Sequence, residues 1–158
     1  MNTVEELAAI LKEKKYRIST AESCTGGLIG ARLTDFKGSS EFFTGGIIAY
    51  DNRVKVDILG VSPDVLNQVG AVSSEVVEAM ATGASSVFKT HCAVSVSGIA
   101  GPGGGSEEKP VGLVYIGSLV NSDIKSREFH FTGTRKDIRY LAVNAALGMI
   151  REHILSLD

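Results

Sequence analysis

Three short segments concentrate residues that could do chemistry: Ala21-Glu22-Ser23-Cys24-Thr25-Gly26-Gly27, Tyr50-Asp51-Asn52-Arg53-Val54-Lys55 and Ser97-Gly98-Ile99-Ala100-Gly101-Pro102-Gly103-Gly104-Gly105-Ser106. A strand-to-helix turn in the first would expose Ser23, or Cys24 in its place, as a nucleophile. Neighbours on such a turn point in different directions, so one of the two faces a pocket. The backbone amides of Cys24, Thr25, Gly26 and Gly27, at the start of the next helix, suit an oxyanion or a phosphate. In the second segment, Lys55 falls in the first turn of a helix that Asp51 or Asn52 caps. The positive end of the helix and partial burial both disfavour a protonated amine there. A lysine tuned in this way can act as a general base toward a serine. The glycines of the third segment, following a buried-type strand, suggest backbone cradling of a ligand. That segment has neither the Gly-Lys-Ser/Thr of a phosphate loop nor the Gly-x-Gly-x-x-Gly of a dinucleotide fold. The residues alone leave plainer roles open: helix caps for Ser23 and Thr25, a solvated face for Lys55, packing for Tyr50, a surface loop for the third segment.

These segments need a frame to bring them together. Thr3-Val4-Glu5-Glu6 reads as a capping box opening a helix with Val4, Leu7, Ala8 and Leu11 on its apolar face. Strands are expected at Tyr16–Ala21, Phe43–Tyr50 and Cys92–Ile99, and a helix at Thr25–Asp35. Short helices follow Asp51 or Asn52 and Ser62-Pro63. Ser73–Lys89 predicts an amphipathic helix with Val76, Val77, Met80, Ala81, Ala84, Val87 and Phe88 inward. Val111–Val120 and Lys125–Phe131 predict an antiparallel hairpin turning at Asn121–Asp123. Thr134 caps a last helix whose core stripe is Ile138, Leu141, Ala142, Ala145, Met149 and Ile150. This order predicts a three-layer α/β/α sandwich over residues 1–158, with a mixed, mostly parallel sheet carrying an antiparallel member. Ligands in open α/β sheets bind beyond the carboxyl ends of the strands, where the three segments would lie.

Composition agrees with one folded domain. The chain has 158 residues, 44% hydrophobic and 22% charged, with a net charge of −2. No Lys/Arg run has the density of a nucleic-acid footprint, so direct nucleic-acid binding is not expected. Met1–Lys15 lacks the basic and apolar regions of a signal peptide, and no stretch approaches the ~18 apolar residues of a spanning helix. No membrane association is expected, and Cys24 and Cys92 are expected to be free thiols in a reducing cytosol. His91, His130 and His153 lack metal-ligand spacing and are read as structural. Ser86-Val87-Phe88-Lys89 and Ser122-Asp123-Ile124-Lys125 match Ser-x-x-Lys without its companion motifs.

The three segments, together with Gly38-Ser39-Ser40, Gly45-Gly46 through Tyr50, Gly70-Ala71-Val72-Ser73 and Gly104 through Gly112, closely resemble the C-terminal domain of the CinA competence/damage-inducible family. That domain also occurs alone as a nicotinamide-nucleotide amidase. The resemblance covers essentially the whole chain. It implies hydrolysis of the carboxamide of nicotinamide mononucleotide, with Ser23 as nucleophile and Tyr50 and Lys55 as its partners, and no cofactor or metal. It implies substrate contacts at Ser97 and at Arg135 or Arg139. Cys24, Thr25, Gly26, Gly27, Asn52, Gly98 and Gly101 complete the expected binding set. It further implies a cytoplasmic homodimer, and places the N-terminal nucleotide-processing domain of longer members outside these residues. The alternative is a non-catalytic nucleotide-binding or adaptor domain linked to competence or DNA damage. Ammonia release, and burial of Lys55 beside Ser23, discriminate the two.

Overall fold

The computed structural model describes residues 2–158. In it β1 (Ile18–Glu22) lies between β2 (Phe43–Ile48) and β3 (Cys92–Gly98), parallel to both. Beyond β3, β4 (Leu113–Val120) runs antiparallel and β5 (Asp123–His130) turns back beside it, giving the order β2-β1-β3-β4-β5. Only β4 opposes the other strands. Glu22 is in register with both Ile48 and Val96. The carboxyl ends of three strands are therefore level, and the segments that follow them start from one edge of the sheet.

Two helical layers cover the sheet. On one face α1 (Thr3–Lys14), α2 (Leu28–Thr34) and α6 (Arg135–Ser156) bury Leu7, Leu11, Ile29, Leu33, Ala142, Leu147 and Ile150 against Val94, Val96 and Ile116. On the other face α5 (Ser74–Phe88) packs Val76, Met80, Ala81 and Ala84 against Ala21 and Ala93, with α4 (Pro63–Val69) outside it. The short α3 (Asn52–Asp57) joins β2 to this layer. The expected sandwich and its sheet are thus observed.

Several local expectations shift for identifiable reasons. The first capping box is Asn2 with Glu5, one residue before Thr3-Glu6, because Asn2 also offers a capping oxygen and takes the Glu5 amide at 3.0 Å. The helix expected from Thr25 begins at Leu28, because Gly26 and Gly27 have φ of +59° and +105° and delay helical geometry. Val87 and Leu141, assigned inward by periodicity, are 50% and 40% exposed. Val87 sits in the last turn of α5, where its neighbour Phe88 is the residue that packs on the sheet, against Gly45. On α6 the buried stripe is centred on Val143, Ala146 and Leu147, with Leu141 at its margin. Gly45 and Gly46 serve close approach rather than a turn. A Cβ on Gly45 would stand 2.8 Å from the Phe88 ring and one on Gly46 2.1 Å from Thr20 Oγ1.

Candidate active site

Beyond the level strand ends lies a cleft of about 220 Å³ lined by Ser23, Tyr50, Asn52, Lys55, Ser97 and Arg135, with Cys24, Gly98 and Ala100 among the rest of its wall. Lys55 comes into it from α3. Asp51 caps that helix through the Arg53 amide at 2.7 Å, which settles the choice between Asp51 and Asn52. Lys55 is 1% exposed, among the largest buried side chains of the fold. Its Nζ stands 3.1 Å from Ser23 Oγ, 2.7 Å from the Ala49 carbonyl and 3.3 Å from the Tyr50 carbonyl. Among the described residues no carboxylate forms an ion pair with it.

Burial is the main cause that lowers the Lys55 pKa, opposed by the more distant Asp51 carboxylate. Since α3 has six residues, its dipole is weak, and desolvation rather than the helix end tunes the amine. A neutral amine has two N–H bonds and one lone pair. Protonated, Lys55 donates to both carbonyls and to Ser23 Oγ; once it has lost a proton, the carbonyls keep the two remaining hydrogens and the lone pair is left for the Ser23 hydroxyl to donate to. That is the arrangement needed to remove the serine proton.

Ser23 sits one residue past β1, its own amide donating to Val96 O at 3.0 Å. The turn that carries it is fixed from beneath by Glu22. This carboxylate, 2% exposed, accepts from Thr25 Oγ1 at 2.6 Å and from the Ile29 and Gly30 amides at 2.8 and 3.0 Å. The first amides of α2 are therefore occupied by the chain's own carboxylate, and the Gly26 amide donates to Ser23 O at 3.1 Å. This corrects the expectation that the amides of Cys24 through Gly27 would all serve a ligand. Among the described residues, those of Cys24 and Thr25 have no acceptor. Cys24 is also buried, which pushes its thiol up to about 11, so it is a poor rival nucleophile.

The other expected residues divide. Tyr50, 61% exposed, reaches the cleft, but its hydroxyl accepts from Arg135 Nη2 at 3.1 Å, and what it gives Lys55 is its carbonyl. Asn52, Ser97 and Gly98 line the cleft as expected. Thr25, Gly26, Gly27 and Gly101 do not; Gly101 instead offers its carbonyl to Arg135 Nη1 at 2.9 Å. Of the two arginines, Arg135 lines the cleft, whereas Arg139 donates to the Cys24 and Thr25 carbonyls. Sequence reasoning missed Ala71, Val72 and Ala100 as lining. Ala71 and Val72 carry no reactive group; their signal is the Gly70–Ser73 motif of the resemblance, with Gly70 at φ +79° and Ser73 as the following cap. Among the described residues no group of three or more His, Cys, Asp or Glu is placed to hold a metal, and no helix is long and apolar enough to cross a membrane.

Comparison with known proteins is consistent over the whole fold. The family model of the CinA C-terminal domain matches residues 1–154. A putative competence-damage inducible protein of Clostridium acetobutylicum is 47% identical over 151 residues, covering 96% of this chain and 37% of its own length. One from Caldicellulosiruptor bescii is 50% identical with the same coverages. The chain thus spans about a third of the length of these curated relatives. Among solved structures, the competence damage-inducible protein A from Klebsiella pneumoniae superposes with a TM-score of 0.95 at 30% identity, covering 100% of both chains. The competence/damage inducible protein CihA from Agrobacterium tumefaciens gives 0.88 at 42% identity, covering 95% of this chain and 94% of that one.

Proposed function

This chain belongs to the CinA C-terminal domain family, and from that premise we propose that it is an amidohydrolase that converts nicotinamide mononucleotide to nicotinate mononucleotide and ammonia. The observation that carries the reading is the 3.1 Å approach of Lys55 Nζ to Ser23 Oγ in a buried position without a carboxylate partner.

In the proposed reaction the Ser23 hydroxyl gives its proton to Lys55 as Oγ bonds to the carboxamide carbon. The carbonyl oxygen becomes an oxyanion, which the unpaired Cys24 amide at the cleft wall stabilises. Collapse breaks the C–N bond, Lys55 returns the proton to nitrogen, and ammonia leaves. Water then attacks the ester, its proton passing to Lys55, and the acid is released with Ser23 restored. The pyridinium ring of the substrate is cationic, so an uncharged base beside it avoids like-charge repulsion. Arg135, at the cleft wall, is suited to the 5′-phosphate. Tyr50 acts here through its carbonyl on Lys55 and its ring at the cleft mouth.

The test is an ammonia-release screen over nicotinamide mononucleotide, nicotinamide riboside, nicotinamide and glutamine. Release from the mononucleotide above the others supports the reading. Release from a different amide keeps the chemistry and changes the substrate, and no release from any of them overturns the proposal.

A further inference from the structure

Arg139 enters from the second turn of α6, far from Ser23 in sequence, and ends on the backbone of the serine's own turn. Its Nε donates to the Cys24 carbonyl at 2.9 Å and its Nη2 to the Thr25 carbonyl at 3.2 Å. The guanidinium lies so close over Gly26 that a Cβ there would stand 3.2 Å from Nη2. Gly26 is thus small for the sake of this contact as well as for its φ of +59°.

A trans peptide holds its C=O and N–H on opposite sides of one plane. Fixing a carbonyl therefore aims the following N–H the other way. The Ser23 carbonyl accepts from the Gly26 amide, which aims the Cys24 N–H away from the turn. The Cys24 carbonyl accepts from Arg139, which aims the Thr25 N–H away from the guanidinium. Neither amide has an acceptor among the described residues, and nor does that of Gly27, in a turn where Cys24 and Thr25 are buried and unpaired donors are rare. Glu22 holds the same turn through Thr25 Oγ1 and the first amides of α2. The turn is clamped by an anion on one side and a cation on the other, and the Cys24 N–H, directly after the nucleophile and at the cleft wall, is left for a developing negative charge.

We infer that Arg139 is a positioning residue for amide hydrolysis: by holding the Thr25 carbonyl it sets the Gly26 amide that fixes the Ser23 carbonyl, so that the Cys24 amide can hold the oxyanion, and it does not bind the substrate phosphate. This rests on the hydrolase reading given above.

The experiment compares the whole chain with its Arg139→Met, Arg139→Lys and Arg135→Met variants on nicotinamide mononucleotide and on the phosphate-free riboside. Removing one oxyanion donor typically costs about 10²–10³-fold in kcat. Arg139→Met is expected to lose roughly 10²-fold in kcat, by the same factor on both substrates, with KM moved less than about threefold. Arg139→Lys, whose single ammonium reaches one carbonyl at a time, is expected to fall between. Arg135→Met is expected to raise KM for the mononucleotide selectively. A rise in KM confined to the phosphorylated substrate in Arg139→Met, with kcat kept, overturns the inference, as does unchanged turnover in a folded Arg139→Met.

A second measurement separates this failure from that of the amidase reading. Labelling of Ser23 by a fluorophosphonate, followed by mass, also passes through an oxyanion. If the wild type labels but releases no ammonia, the substrate assignment falls, while slower labelling of the Arg139 variants still supports the inference and equal labelling overturns it. A wild type that neither labels nor releases ammonia overturns both.

Discussion

Two buried polar clusters sit at opposite ends of the sheet, and both pair a serine with a nitrogen base. At the carboxyl end Lys55 meets Ser23 and two carbonyls. At the other end His153, 3% exposed, lies between Ser118 Oγ, 2.8 Å from Nδ1, and Asp123 Oδ2, 2.6 Å from Nε2. By residue type the second cluster looks more like a hydrolase, since it has Ser, His and Asp. It even borders a larger cavity, of about 360 Å³, lined by Lys125, Arg127, Glu152 and His153 among others. Yet Ser118 is fully buried and does not line that cavity, so no substrate carbon can reach its oxygen. Access and the partner of the base decide between the two. A carboxylate steadies His153 and ties the β4–β5 hairpin to α6. No carboxylate holds the proton on Lys55, whose burial lowers its pKa, at the wall of an open cleft.

Paired substitutions test the contrast. Ser23→Ala is expected to abolish ammonia release while the thermal transition is retained, and Ser118→Ala to leave turnover within about twofold. Measurable turnover in Ser23→Ala removes that serine as nucleophile. Next in size, Lys55→Met is expected to cost about 10²–10⁴-fold in kcat, the usual contribution of acid–base assistance. His153→Asn should leave kcat alone and instead lower stability by about 1–3 kcal/mol through buried groups left unpaired. At roughly 2–4 °C per kcal/mol for a chain of this size, calorimetry resolves that loss. A kcat effect of His153→Asn equal to that of Lys55→Met would erase the distinction.

The smallest effect concerns pH. The folded pKa of Lys55 is lowered, so between that value and its ordinary value near 10.4 the unfolded chain binds more protons than the folded one. Wild-type stability relative to Lys55→Met should therefore rise as pH climbs through this window. It should be lost as pH falls toward the lowered value. Turnover should rise as pH climbs through the lowered value itself, where the folded amine loses its proton, and level off above it. A wild-type Tm that falls relative to that of Lys55→Met as pH rises through this window would show that the folded pKa is not lowered.

Much of this was legible in the sequence for a physical reason. Strand ends followed by Ser23, Lys55 and Ser97 are local patterns, and parallel neighbours in register bring local patterns to one edge. The helical stripes were legible except at margins such as Val87 and Leu141, where periodicity gives direction but not which residue at the edge of a stripe packs. The residues alone left Lys55 between partial burial and a solvated face, because a lysine near a helix start is usually solvated; its near-complete enclosure depends on the β2–α3 corner. The roles of Glu22 and Arg139 were not legible. Each acts through backbone groups, seven and eight residues away for the Glu22 amides and more than a hundred for the Arg139 carbonyls, which no side-chain pattern records.

The helix that carries both arginines follows every strand in chain order. On the ribosome, then, the alcohol and the amine emerge long before the guanidinium that trims their surroundings. A nascent chain whose five strands have already paired would still lack the brace on the Ser23 turn, and under the proposed reaction full turnover would wait for α6 to dock.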